Sequence, residues 1–132
     1  MATVIGAAAA LLLVTACGSG TEDAASRVTL SVEGDTVVIR NRSDGAVRVA
    51  GAVGLEIFED GEWVDARPLL ERITGTVVVS TLEIFLLDGG EDARRPVPLH
   101  AELPPGRYRV TAAYSGSDRG PLREVARATF TK

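Results

Sequence analysis

The chain has almost no cysteine. Cys17 stands alone among 132 residues, so no internal disulfide can form and the fold depends on its apolar core. Histidine is as scarce, with His100 the single one. One thiol and one imidazole do not supply the ligands that a transition-metal site draws on. No serine–histidine–aspartate pattern surrounds His100 to place it in a triad, and it reads as a surface histidine. Positive charge is not in excess: 14 basic residues against 18 acidic ones give a net charge of −4, which leaves no basic footprint for nucleic acid. Glycine-rich phosphate loops and paired-carboxylate motifs are missing. Glu59, Asp60, Glu62 and Asp65 cluster around one hairpin, but without the spacing of a calcium loop, and a solvated tip is the ordinary reading. The expectation from these absences is a protein that is not an enzyme and carries neither cofactor nor metal.

What is present begins with an uncharged, apolar run. Met1–Ala16 is mostly Ala, Leu, Val and Ile, shorter than the roughly 20 residues a membrane-spanning helix needs. The polar stretch Gly18-Ser19-Gly20-Thr21-Glu22-Asp23 follows. A short apolar core, small residues before a cut and a polar tail make a secretory leader rather than a span. The alternative is a buried N-terminal helix with an ordinary buried cysteine. That run has no polar face and would need burial all round. The segment Leu11-Leu12-Leu13-Val14-Thr15-Ala16-Cys17-Gly18 resembles the lipobox of bacterial lipoprotein signal peptides. The resemblance implies a signal peptide over 1–16, a lipidated Cys17 with a tether to residue 26, and a folded domain over 27–132. It also implies export to the cell envelope. There the lipid on Cys17 would make the membrane a partner and hold the protein at its outer face.

From Arg27 onward the pattern has period two. Val28, Leu30 and Val32 alternate with polar residues, and Thr36–Asn41 is rich in β-branched residues; both read as strands. A short strand over 46–50 follows the Asp44-Gly45 turn, and Gly51 and Gly54 flank a loop or bulge. Leu55–Phe58 and Trp63–Ala66 straddle Asp60-Gly61, the signature of a hairpin. Leu69–Thr76 reads as one turn of helix or a loop. The apolar stretch 76–87 reads as a strand, bent near Ser80-Thr81. Residues 95–99 carry Pro96 and Pro98, which suits only a sheet edge. Arg107–Tyr114 alternates most cleanly, with Tyr108, Val110, Ala112 and Tyr114 on one face, and 124–131 closes the chain as a last strand. About seven to eight strands with no convincing helix predict an all-β antiparallel sandwich, with a small closed barrel as the alternative.

Three pieces carry a family resemblance. Leu103-Pro104-Pro105-Gly106-Arg107-Tyr108-Arg109-Val110 resembles the entry to a late strand of immunoglobulin-like domains. Val38-Ile39-Arg40-Asn41-Arg42-Ser43-Asp44 and Leu55-Glu56-Ile57-Phe58-Glu59-Asp60-Gly61-Glu62-Trp63 look like an early strand-and-turn and a hairpin of the bacterial members. The resemblance covers 27–132 and implies an immunoglobulin-like β-sandwich in which Tyr108 makes the tyrosine corner. It departs from the family between Arg67 and Glu91. Bacterial proteinase inhibitors of the BsuPI type share the opening and closing motifs, but their tyrosine–aspartate–phenylalanine segment is not evident here. Two residues are assigned structural roles, Tyr108 and Trp63; Trp63 reads as a core residue covering one end of the sandwich, with a binding-face aromatic as the alternative. Arg40, Arg42 and Arg48 with Arg107 and Arg109 would make either a patch for anionic polymer or lipid headgroups, or a solvated face. The functional expectation is an envelope module that binds a protein partner or serves structurally; the alternative is a proteinase inhibitor offering a loop to an enzyme.

Overall fold

Turn chemistry sets the first strands. Val28–Glu33 (β1) and Thr36–Asn41 (β2) form a hairpin around Gly34, whose φ of 65° is open to glycine at no steric cost. The computed structural model describes residues 27–78 and 83–132. Val47–Ala50 (β3) comes next, then Gly54–Glu59 (β4) and Glu62–Asp65 (β5). At the β4–β5 turn both Asp60 (φ 51°) and Gly61 (φ 81°) are left-handed, the turn whose twist matches the flanking strands. Helix α1 (Arg67–Thr74) leads toward Ile84–Leu87 (β6) and Asp92–Pro96 (β7). A single 3₁₀ turn at His100–Glu102 precedes Arg107–Tyr114 (β8) and Glu124–Thr131 (β9).

The strands form two antiparallel sheets. The smaller has the order β1-β2-β7. In the larger, β8 is central. Tyr108 is bridged to both Phe130 and Ile57, and Tyr114 to both Glu124 and Val49. Therefore β9 runs along one edge of β8, and β4 and β3 share the other. The β3–β4 track is interrupted. From Val49 to Gly54 it takes five residue steps while β8 takes three, from Tyr114 to Thr111, so Gly51–Val53 bulges out of the ladder. Beyond this track, β5 pairs with β4 and β6 with β3.

The inner faces of the sheets make one core. Val28, Leu30, Val37 and Ile39 of the small sheet pack with Val47, Val49, Tyr108, Val110, Ala112 and Ala126 of the large one. On one side β1 lies alongside β9. On the other, Arg95 of β7 places its guanidinium 4.4 Å from the centre of the Phe85 ring on β6. The protein is an immunoglobulin-like antiparallel β-sandwich.

Several sequence expectations differ from the structure in detail. There are nine strands among the described residues, against the seven to eight expected. A helix of 8 residues occupies Arg67–Thr74. Pro68 lies in its first turn, where its missing N–H costs nothing, so this proline starts a helix as well as ending a hairpin. Leu70 buries the inner side, and the left-handed Gly75 (φ 74°) closes the helix with its N–H on the Glu71 carbonyl at 2.8 Å. Of the apolar stretch 76–87, only Ile84–Leu87 is strand among the described residues. The bend expected at Ser80-Thr81 lies outside them. The strand expected at 95–99 is Asp92–Pro96, at the edge of the small sheet. The leader, Cys17 and the tether also lie outside the described residues.

Candidate binding face

The outward side of the large sheet is an ordered grid set by register. Arg107 stands beside Thr131, and Phe58 beside Trp63. In the next row Thr129, Arg109, Glu56 and Asp65 follow one another across β9, β8, β4 and β5. A third row has Arg127, Thr111 and Gly54. Strand alternation puts all of these side chains opposite the core.

Trp63 belongs to this face and is half-buried there, not a member of the core. Its ring meets Phe58 edge-on, with centroids 5.1 Å apart and planes at 60°. Two arginines of β8 lean over the pair. The Arg109 guanidinium lies 4.5 Å from the Trp63 centroid; that of Arg107 lies 5.1 Å from Phe58 and 5.5 Å from Trp63. Such cation–aromatic contacts contribute about 0.5–1 kcal/mol each at exposed sites, enough to fix the direction of a long side chain. The arginines differ in one respect. Arg109 donates from Nε to Glu56 Oε1 at 2.7 Å. Arg107 has no carboxylate or carbonyl partner among the described residues. Its donors face solvent.

Beside the grid, at the bulge before β4, lies a notch of about 330 Å³. Gly54 and Leu55 line it, with Arg67 and Leu70 of α1 and with Glu56, Asp65 and Thr111 from the sheet. A Cβ at 54 would stand 2.5 Å from Thr111 Oγ1, so any larger residue there would turn the threonine hydroxyl aside.

Two buried side chains hold the ends of the frame. The Tyr108 hydroxyl donates to the Pro104 carbonyl at 2.7 Å, and its ring stacks on Phe130 at 5.4 Å. This is the geometry of a tyrosine corner. Burial raises the phenol pKa above its usual value, with the Glu59 carboxylate adding to the effect. At the opposite end, Asn41 uses its whole amide. Nδ2 donates to the carbonyls of Gly45 and Leu87, both at 2.8 Å, while Oδ1 accepts from the Ser43 N–H (2.9 Å) and hydroxyl (2.7 Å). In the sequence Asn41 and Ser43 are only part of the early strand-and-turn motif. Their role follows once Leu87 is known to lie beside the 41–45 turn.

The other singled-out residues are dispersed. His100 is half-buried in the 3₁₀ turn, its ring 5.8 Å from Phe130. The five arginines do not share one patch. Arg40 lies on the outside of the small sheet, paired with Glu33 at 3.7 Å and Asp92 at 3.4 Å. Arg48 donates to the Gly120 carbonyl. Arg42 is exposed in the turn after β2. Among the described residues no group of three or more His, Cys, Asp or Glu side chains is placed to hold a metal ion.

No protein-family model matches the chain, and no curated protein matches it. Among solved structures, it is similar to a DUF3244 family protein with an immunoglobulin-like β-sandwich fold from Bacteroides vulgatus. The identity is 12%, the TM-score 0.40, and the match covers 86% of this chain and 97% of that one.

Proposed function

We propose that this protein is an exported, lipid-anchored binding module of the bacterial cell envelope, and that it contacts its partner through the outer face of the large sheet. The observation that carries the reading is the placement of Trp63. A sheet that needs its large apolar groups for the core has its single tryptophan outside, with Phe58 beside it and two arginines over it. Tryptophan and arginine are the residues on which binding energy concentrates.

The anchoring half rests on the lipobox-like segment ending at Cys17. Geometry supports the division of labour. The chain enters the fold at Arg27, whose Nη1 donates to the Gly116 carbonyl at 3.0 Å, just past the C-terminal end of β8. Arg107 begins β8. At about 3.3 Å per residue, the strand carries the Arg107 end some 23 Å from that entry point. A lipid at the entry end would leave the aromatic–arginine corner pointing away from the bilayer.

The test is photo-crosslinking in cells. A photoreactive residue replacing Thr129 on the outer face is expected to give adducts with envelope material, and one replacing Arg94 on the small sheet is not. Adducts from Arg94 alone, or equally from both, would contradict the assignment of the face.

A further inference from the structure

The outer face segregates charge against the trend of the whole chain. The protein is acidic overall, at −4. Yet the strands of this face turn outward Arg107, Arg109 and Arg127 over β8 and β9, with only Glu56 and Asp65 opposing them on β4 and β5. Glu56 is spent on Arg109. Arg107 and Arg127 have no acceptor among the described residues. Arg107 is already directed by its contacts with Phe58 and Trp63, which lowers the ordering cost of gripping an oxyanion. A guanidinium suits a carboxylate because its planar fork offers two parallel N–H donors.

The face also limits what kind of anion it takes. Both edges of β8 are occupied by neighbouring strands over Tyr108–Thr111, so a ligand lying along β8 meets side chains and not free backbone groups. The hydroxyls of Thr111, Thr129 and Thr131 stand among the arginines, and the Phe58–Trp63 pair offers an apolar edge at the corner. A thin linear chain laid along the arginines keeps its charges nearest the guanidinium groups, with the more distant acidic residues screened by salt.

Resting on the proposed face, we propose that this strip binds a linear carboxylate-bearing polysaccharide. Arg107 and Arg127 each take one carboxylate, the threonines hydrogen-bond its hydroxyls, and Phe58 and Trp63 receive the C–H side of one sugar ring. By strand geometry the two arginine positions are about 14 Å apart, so a monosaccharide cannot reach both and an oligosaccharide can. Linking the two contacts raises affinity without any new interaction.

Because Trp63 is the single tryptophan, its fluorescence reports on the strip directly. The purified protein is titrated with an alginate hexasaccharide at low salt. The expected result is a saturable change in Trp63 emission, with affinity at least tenfold above that for the uronic acid monomer and falling as salt is raised. Arg107→Gln and Arg127→Gln should each weaken binding about tenfold, the equivalent of about 1.4 kcal/mol. Arg40→Gln, on the other sheet, should leave it unchanged. Thermal midpoints show that all three variants are folded. The proposal is overturned if the hexasaccharide binds no better than neutral dextran oligosaccharide. It is overturned too if the Arg107 and Arg127 variants bind normally, or if polyphosphate, an acidic peptide or phosphatidylglycerol vesicles bind more tightly. Failure here together with envelope adducts at position 129 removes the ligand class and leaves the face. Failure of the adducts removes the face.

Discussion

Arg109 stands with its guanidinium 4.5 Å from the centre of the Trp63 ring while its Nε holds Glu56 at 2.7 Å. One side chain therefore fixes a carboxylate on β4 and an aromatic on β5 from its position on β8. The Glu56–Arg109 pair is mostly covered, with side-chain exposures of 31% and 16%. It acts as a brace that leaves Arg107, one row away, over Phe58 and Trp63 with no carboxylate partner among the described residues. The face is thus rigid at its centre and available at its corner.

Asn41→Ala should destabilise the domain by about 2–4 kcal/mol. The substitution removes the four side-chain bonds to Gly45, Leu87 and Ser43. Each is worth about 1 kcal/mol net, and a buried acceptor left behind costs more. Urea unfolding measures the loss. Asn41→Asp keeps the shape but sets a carboxylate against two carbonyl oxygens, and should be at least as damaging.

Alkaline pH should weaken the fold through Tyr108. Its pKa is raised above 10.0 in the native state, by burial first and Glu59 second. The neutral phenol therefore contributes stability that is fully present below pH 10 and is lost as pH rises through the higher native value. Tyr108→Phe should lower stability at neutral pH by about 1–2 kcal/mol, the hydrogen bond to Pro104 being lost. It should also lose less stability than the wild type above pH 10. Chemical denaturation across pH 7 to 11 reads both effects.

Gly89→Ala tests the close approach between the turn after β6 and the turn after β2. A Cβ at 89 would lie 2.5 Å from the Asp44 carbonyl oxygen and 2.8 Å from that of Ser43. Backbone cannot step aside as a side-chain tip can. A loss of about 1–3 kcal/mol is expected, seen as a lower thermal midpoint.

Cys17→Ser tests the anchor independently of the domain. With the thiol replaced, metabolic labelling with a fatty acid should fall to background and the chain should stay at precursor size. Two or more acyl chains anchor a protein stably and one does not, so the wild type should resist extraction by salt. Unchanged labelling in the variant would contradict the assignment.

How far the chain could be read depended on which side of each strand is buried. Arg107–Tyr114 was legible because only one face is covered, and the alternation of Tyr108, Val110, Ala112 and Tyr114 is left bare in the sequence. In β2, Val37, Val38 and Ile39 are all buried, so the periodicity vanishes and only β-branched content identifies the strand. The stretch before Leu87 misled because length and hydropathy do not register exposure: Ile84 and Leu86 point outward at 44% and 60%. Helix α1 is held by the burial of Leu70, a tertiary effect. Trp63 illustrates the limit for the site. Alternation says that Trp63 and Val64 lie on opposite faces; it does not say which face meets the core. On the edge strand β5, Val64 turns inward beside Ile57 and is still 37% exposed, and Trp63 turns out.

The most direct test of the binding face is the affinity of the purified protein for isolated envelope material. It compares the wild type with Trp63→Ala, Arg107→Gln and the control Arg40→Gln. Trp63 lies outside the core, so Trp63→Ala should cost well under the 2–5 kcal/mol of a core change such as Leu30→Ala, and all three variants should be folded. The account predicts binding reduced at least about tenfold by Trp63→Ala and by Arg107→Gln, with Arg40→Gln at wild-type affinity. Wild-type affinity in the Trp63 and Arg107 variants, or an equal loss in the Arg40 control, would contradict it.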